Sequence, residues 1–177
     1  EFYVACGLAG RWRAEEFPAA YWQRVEKMME FLGLLREGGD CLPFFGDYDD
    51  GYVLDLGREA RDPRDLLALG AVLFGRIDFK TWAGGLREPV RWHLGAAGAE
   101  AFARLPAMPT RNLPSLAFTD SGHYLLQSGP AGNTDAISVH FDCAELGFGA
   151  IAAHGHADAL GFALRAFGTD VKGAQRE

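Results

Sequence analysis

Ile137, Val139 and Phe141 alternate with Ser138, His140 and Asp142, a period of two that predicts a β-strand with one apolar and one polar side. Gly129-Pro130-Ala131-Gly132-Asn133 supplies the turn before it, and a strand starting at His123 and running to Gln127 precedes that turn. Further strands are expected at 148–157 and 160–167. Successive strands joined by short turns predict an antiparallel meander or sandwich sheet. Upstream the period lengthens. Trp22, Val25, Met29 and Leu32 form an apolar stripe at helical spacing, with Pro18 near the first turn and Gly38-Gly39 as the stop. A second helix is expected from Asp62 as N-cap and Pro63 as first helical residue, through Leu66, Leu67, Leu69, Val72 and Leu73, to a stop near Gly75. A shorter helix is expected at 96–104. Pro106, Pro109 and Pro114 punctuate the stretch between the two patterns. The expected organisation is helical at 1–104, linker at 105–121 and antiparallel β at 122–177, an α+β fold class.

Composition narrows the function classes. With 177 residues, 49% of them hydrophobic and 12% aromatic, the chain has ample material for packed cores. A formal charge of −7 and the absence of any basic run argue against a nucleic-acid partner. No apolar run reaches the roughly 18 residues of a membrane span. The first residues lack the basic start and apolar middle of a signal peptide. The chain has no initiating Met, and Glu1-Phe2-Tyr3-Val4 reads as the inside of an element, so an excerpt of a longer protein is expected. Cys6, Cys41 and Cys143 are odd in number and widely spaced, which predicts small buried hydrophobes and no disulfide framework.

The chemistry concentrates in His154-Gly155-His156-Ala157-Asp158, two imidazoles and a carboxylate in five residues. On a strand, His154, His156 and Asp158 would share one side, with Gly155, Ala157 and Ala159 on the other. Neutral imidazole binds zinc at about 2.0–2.1 Å, and a carboxylate such as Asp158 or Asp142 could complete such a shell. Imidazole also titrates near neutrality, so acid–base work is the alternative, and both roles can coexist on neighbouring histidines. His140 is expected to point outward on its strand, beside Asp142. His123 and His93 are expected to be structural. Gly46-Asp47-Tyr48-Asp49-Asp50-Gly51 lacks EF-hand spacing and reads as a solvated acidic turn. No serine has the setting of a nucleophile elbow.

His154-Gly155-His156-Ala157-Asp158-Ala159-Leu160, followed by Phe162-Ala163-Leu164-Arg165-Ala166-Phe167-Gly168, resembles the heparinase II/III-like family of bacterial polysaccharide lyases. The resemblance extends to Phe118-Thr119-Asp120-Ser121-Gly122-His123-Tyr124, to Phe141-Asp142-Cys143, to Tyr21-Trp22-Gln23-Arg24 and to the 46–51 loop. It implies the end of an (α/α) toroid followed by the start of an antiparallel β-sandwich. It also implies β-elimination on an acidic, uronate-containing polysaccharide: a base takes the proton next to the carboxylate while an acid assists departure of the glycosidic oxygen. In that scheme His154 matches the catalytic histidine of the sheet and His156 a ligand of zinc, whose role is to hold loops in place. A periplasmic or secreted location follows from the same resemblance, which leaves oligomerisation open. The pattern departs at Ala174, where the family carries a metal-binding Asp. The family's Asn-His pair and catalytic Tyr would lie upstream of Glu1, and its further His ligand beyond Glu177. The rival class is a non-catalytic carbohydrate-binding or zinc-stabilised β module.

Overall fold

The computed structural model describes residues 1–36, 42–43, 62–106, 108, 114–129, 135–147, 149–151 and 159–171. The chain divides into two compact units. One gathers Glu1–Leu34 with Asp50–Pro109, the other Leu35–Asp49 with Thr110–Glu177. Helices in the first and an antiparallel sheet in the second make the α+β class.

The helical unit contains α1 (Phe2–Trp12), α2 (Ala19–Arg36), α3 (Arg64–Phe74), α4 (Ile77–Ala83) and α5 (Glu88–Arg104). On α2, Trp22, Val25 and Met29 are buried as their spacing predicts, but Leu32 is only half-buried, and Gly33 and Leu34 go in instead. The reason is close approach: a Cβ on Gly33 would lie 2.2 Å from the Trp82 ring, so the indole occupies the space a side chain would take. Helix α3 starts one residue after the predicted position. Asp62 still accepts from the Arg64 N–H at 3.0 Å, and Gly75 stops the helix with φ of 65°. The short helix expected at 96–104 is the second half of α5, which begins at Glu88 with Pro89 in its first turn and breaks at Gly95, φ 64° and ψ −161°. Leu67, Leu69, Phe79 and Val90 are sealed from solvent and form the centre of this core.

In the second unit, β1 (Leu116–Phe118), β2 (His123–Ser128), β3 (Ile137–Asp142), β4 (Phe162–Ala166) and β5 (Thr169–Val171) pair in chain order, all antiparallel. β1 falls within the proline-punctuated stretch 105–121. The strand expected at 148–157 is not found over its described part. Gly149–Ile151 forms a 3₁₀ turn, because Gly147 and Gly149 take φ of 60° and 62°, left-handed backbone that ends extended structure. Phe167 and Gly168, with φ of 53° and 75°, form the two-residue turn between β4 and β5.

Residues directly opposite in an antiparallel ladder share a side. One side carries Tyr124, Phe141 and Phe162 in one row and Leu126, Val139, Leu164 and Val171 in the next. On it Leu126 is 52% exposed and Phe162 67%. The other side carries Phe118, His123 and Asp142, with Leu125, His140 and Ala163 one rung further along. It is covered more deeply, for Leu125, His140 and Asp142 are all buried. Among the described residues no helix is long and apolar enough to cross a membrane.

Candidate functional site

The covered side of the sheet gathers three chemistry-bearing side chains at the β2–β3 ladder. His123 opens β2 directly opposite Asp142, the last residue of β3. His140 lies diagonally across, two residues back along β3, and its Nε2 is 3.1 Å from Nδ1 of His123. The same His123 Nδ1 is 3.7 Å from Asp142 Oδ1. The His123 side chain keeps 17% exposure and that of Asp142 only 6%.

The backbone around the trio is tightly fixed. Gly122, with φ of 75°, lies so close to the next segment that a Cβ would sit 2.6 Å from Ala144 Cα, Ala144 N and Cys143 O. The Cys143 N–H donates to Gly122 O at 2.8 Å, and the Ala144 N–H donates to Asp142 Oδ1 at 2.8 Å. One oxygen of Asp142 therefore caps a turn while also facing an imidazole. Opposite Asp142, two residues replace one. The Leu160 N–H donates to Asp142 O at 2.7 Å and the Asp142 N–H donates to Gly161 O at 2.9 Å. This is a β-bulge whose first residue is left-handed: Leu160 holds φ of 62°, an uncommon conformation for leucine.

His140 corrects the sequence expectation. It is 6% exposed, not outward-facing. Burial, with a smaller contribution from His123, pushes its pKa down to about 4. His140 is neutral at physiological pH. Alternation showed that His140 and Val139 face opposite ways; it could not show that the imidazole side is the deeply covered one. His123, expected to be structural, stands within the same cluster, and the signal that joins it to Asp142 is strand register, not sequence spacing.

His154, His156 and Asp158 lie outside the described residues, as do Cys41, Ala174 and the acidic loop at 46–51. Cys6 and Cys143 are free thiols, half-buried rather than buried. His93 lies half-buried on α5. Arg165 closes the β4–β5 turn, donating to Gly168 O at 3.0 Å and pairing with Asp170 at 3.4 Å. Among the described residues no three His, Cys, Asp or Glu side chains are arranged to hold a metal ion. In the trio of His123, His140 and Asp142 the two imidazoles meet in a direct hydrogen bond. The trio is suited to holding and orienting a proton.

Residues 110–171 match the family described as heparinase II/III-like, C-terminal. That part of the chain is similar to the C-terminal region of heparinase II/III-like proteins. The match starts at the residue where the main segment of the sheet unit starts and ends on the last residue of β5. It takes in all five strands, the His123–His140–Asp142 cluster and the His154–Asp158 block. The heparinase II/III-like family is one of polysaccharide lyases. No curated protein and no solved structure matches the chain.

Proposed function

We propose that this chain is part of a polysaccharide lyase that cleaves a uronate-containing polysaccharide by β-elimination. The observation that carries the reading is the family match over 110–171, which contains the His154-Gly155-His156 block in its entirety. In this reading His154 does the acid–base or carboxylate-facing work of the sheet, and His156 contributes to a zinc site that holds loops in place. Ala174 takes the place of the Asp expected in that zinc shell, so the remaining ligands come from other carboxylates or imidazoles.

Two further parts of the proposal concern architecture. The helices of the first unit are the end of an (α/α) toroid. The sheet is one half of a β-sandwich, and its row of Tyr124, Leu126, Val139, Phe162, Leu164 and Val171 is the kind of surface a second sheet covers. A periplasmic or secreted location accompanies the lyase reading. The charge of −7 means that a polyanion would need a locally basic path to the site.

Incubation of the purified chain with hyaluronan or alginate tests the activity. The expected result is a rise in ultraviolet absorbance from the conjugated unsaturated uronate at new chain ends. New reducing ends without that absorbance would instead identify a hydrolase. Ala174 also favours a second reading, a zinc-stabilised or carbohydrate-binding module without turnover. Retention on an immobilised uronate polymer without product would select it. Metal analysis separates the zinc assignment: His156→Ala is expected to lose bound zinc, and unchanged zinc content would remove His156 from the ligand set.

A further inference from the structure

Where α1 ends, α2 begins and α3 ends, the helical unit carries a cleft of about 530 Å³, a size usual for small-molecule sites. Arg11, Glu16, Phe17, Trp22, Gln23 and Glu26 supply its polar and aromatic lining. Close approach of backbone builds it. Ala14, with φ of 57°, turns the chain back on α1, and the Glu15 N–H donates to Gly10 O at 2.9 Å. A Cβ on Gly10 would lie 2.7 Å from Glu15 O and 3.0 Å from the Phe17 ring. One on Gly7 would lie 2.6 Å from the Trp22 ring. Glycine at both positions therefore lets the two aromatics seat against α1.

The lining combines an apolar surface with anchored polar groups. Phe17 is stacked on Tyr21 with centroids 4.4 Å apart and still keeps 38% exposure, so it is both ordered and accessible. The Arg11 guanidinium lies over the Trp22 ring at 3.9 Å, and its Nε–H donates to Glu16 Oε1 at 3.0 Å. Its terminal nitrogens carry further donors. Glu26 accepts from Arg76 at 2.8 Å through Oε1. Each carboxylate is thus held by an arginine through one oxygen and has a second to offer. The mouth is open: the Glu16 side chain is 60% exposed and that of Arg11 37%. A pyranose has the matching features, an apolar C–H face and a rim of hydroxyls that both donate and accept. Charge selects among sugars. Two carboxylates against one guanidinium leave the lining net negative, which disfavours a uronate.

We propose that this cleft binds a neutral pyranose, with Phe17 as its stacking surface and Arg11, Glu16, Gln23 and Glu26 as hydrogen-bonding partners of its hydroxyls. The cleft belongs to the helical unit, whereas the His154–His156 block of the lyase reading belongs to the sheet unit. Its ligand carries no carboxylate, so binding here is independent of β-elimination.

Saturation-transfer NMR and calorimetric titration of the 177-residue chain with cellobiose, maltose and lactose test this. At least one of the three is expected to bind, and glucuronate to bind about tenfold more weakly or worse. Phe17→Ala and Gln23→Ala, each checked by its thermal melt, are expected to weaken binding about tenfold. Gln23 is exposed, so its substitution leaves the core intact. His154→Ala is expected to bind as wild type does. No binding of any of the three at about 10 mM would overturn the proposal, as would a preference for glucuronate. Full affinity in both Phe17→Ala and Gln23→Ala would overturn it too, and binding lost only in His154→Ala would move the sugar to the sheet unit. Because these probes contain no uronate, failure of the cleft leaves the lyase reading standing, and an inactive lyase leaves the cleft standing.

Discussion

His140 Nε2 stands 3.1 Å from His123 Nδ1, diagonally across the β2–β3 ladder, on the covered side of the sheet. Diagonal neighbours in an antiparallel pair are within reach of each other when their side chains are long. Here the contact places a neutral, buried imidazole at the centre of the family-matched unit.

Stability should fall on mild acidification for this reason. Burial lowers the His140 pKa from 6.5 to about 4, with the charge of His123 adding to the effect. The unfolded chain therefore binds a proton that the folded chain refuses as pH drops through 6.5. Between pH 6.5 and about 4 stability declines, by up to about 3 kcal/mol in all, and below that both states are protonated and the decline from His140 ends. Urea denaturation across this window checks it, with His140→Leu expected to flatten the slope. A slope unchanged in that variant would assign the acid sensitivity elsewhere. Asp62 does not confuse the reading. Burial raises its pKa, but the Arg64 hydrogen bonds and the charges of Arg64 and Arg87 outweigh burial and hold it below 3.8, so its contribution is lost at lower pH.

Gly122 should tolerate no side chain. Its φ of 75° disfavours any L-residue, and a Cβ would meet backbone atoms of Cys143 and Ala144 at 2.6 Å. Backbone cannot swing aside as a flexible side chain can. Gly122→Ala is expected to destabilise the sheet unit by about 3 kcal/mol, from left-handed strain plus overlap. The chemical-denaturation midpoint measures it. A loss below about 1 kcal/mol would mean that the segment at 143–144 shifts readily.

The residues of β3 show how far sequence alone could go. Ile137, Val139 and Phe141 located the strand because period two is local information. Asp62 and Gly75 located both ends of α3 to within a residue because caps are local too. The His123–Asp142 pairing was out of reach, since it depends on the register set through the 129–136 connection. The burial of His140 was out of reach for another reason: alternation sorts residues onto sides without saying which side is covered. Helix α4 is seven residues long and too short for periodicity to declare itself. The family resemblance, carried by a contiguous motif, needed none of this, and the match at 110–171 agrees with it.

Arg76 should act as the keystone of charge in the helical unit. Its guanidinium donates to Glu26 at 2.8 Å, Glu30 at 3.3 Å and Asp78 at 2.5 Å, and lies over the Phe79 ring at 4.3 Å. The Asp78 hydrogen bond, working against burial, leads the effects that raise its pKa, so it is charged throughout. Arg76→Gln leaves three partly buried carboxylates facing one another. At neutral pH the expected cost is about 2–3 kcal/mol, discounted for their partial exposure. Burial raises Asp78, but the Arg76 hydrogen bond and charge outweigh it and hold Asp78 below 3.8. The difference between variant and wild type should therefore shrink as pH falls through that range and the carboxylates accept protons. Paired urea titrations at neutral pH and at about pH 3.5 read the change. A penalty that stays constant with pH would mean that packing over Phe79, and not charge, is what Arg76 contributes.

Leu160 offers the opposite kind of test, a substitution expected to stabilise. It forms the first position of the bulge opposite Asp142, with φ of 62° and 69% of its surface exposed. Leucine gains little from packing there and carries a left-handed penalty of about 1–2 kcal/mol. Glycine removes that penalty and adds about 0.5–1 kcal/mol of unfolded-state entropy, so Leu160→Gly should gain about 0.5 kcal/mol. Leu160→Val should lose stability, because branching at Cβ makes left-handed backbone harder still. The order Gly above Leu above Val in denaturation midpoint is the signature of backbone strain. A leucine more stable than glycine would show instead that its side chain has a partner worth more than the strain it bears. Strained left-handed residues gather at functional sites, and this one lies two residues after Asp158, the last residue of the His154–Asp158 block.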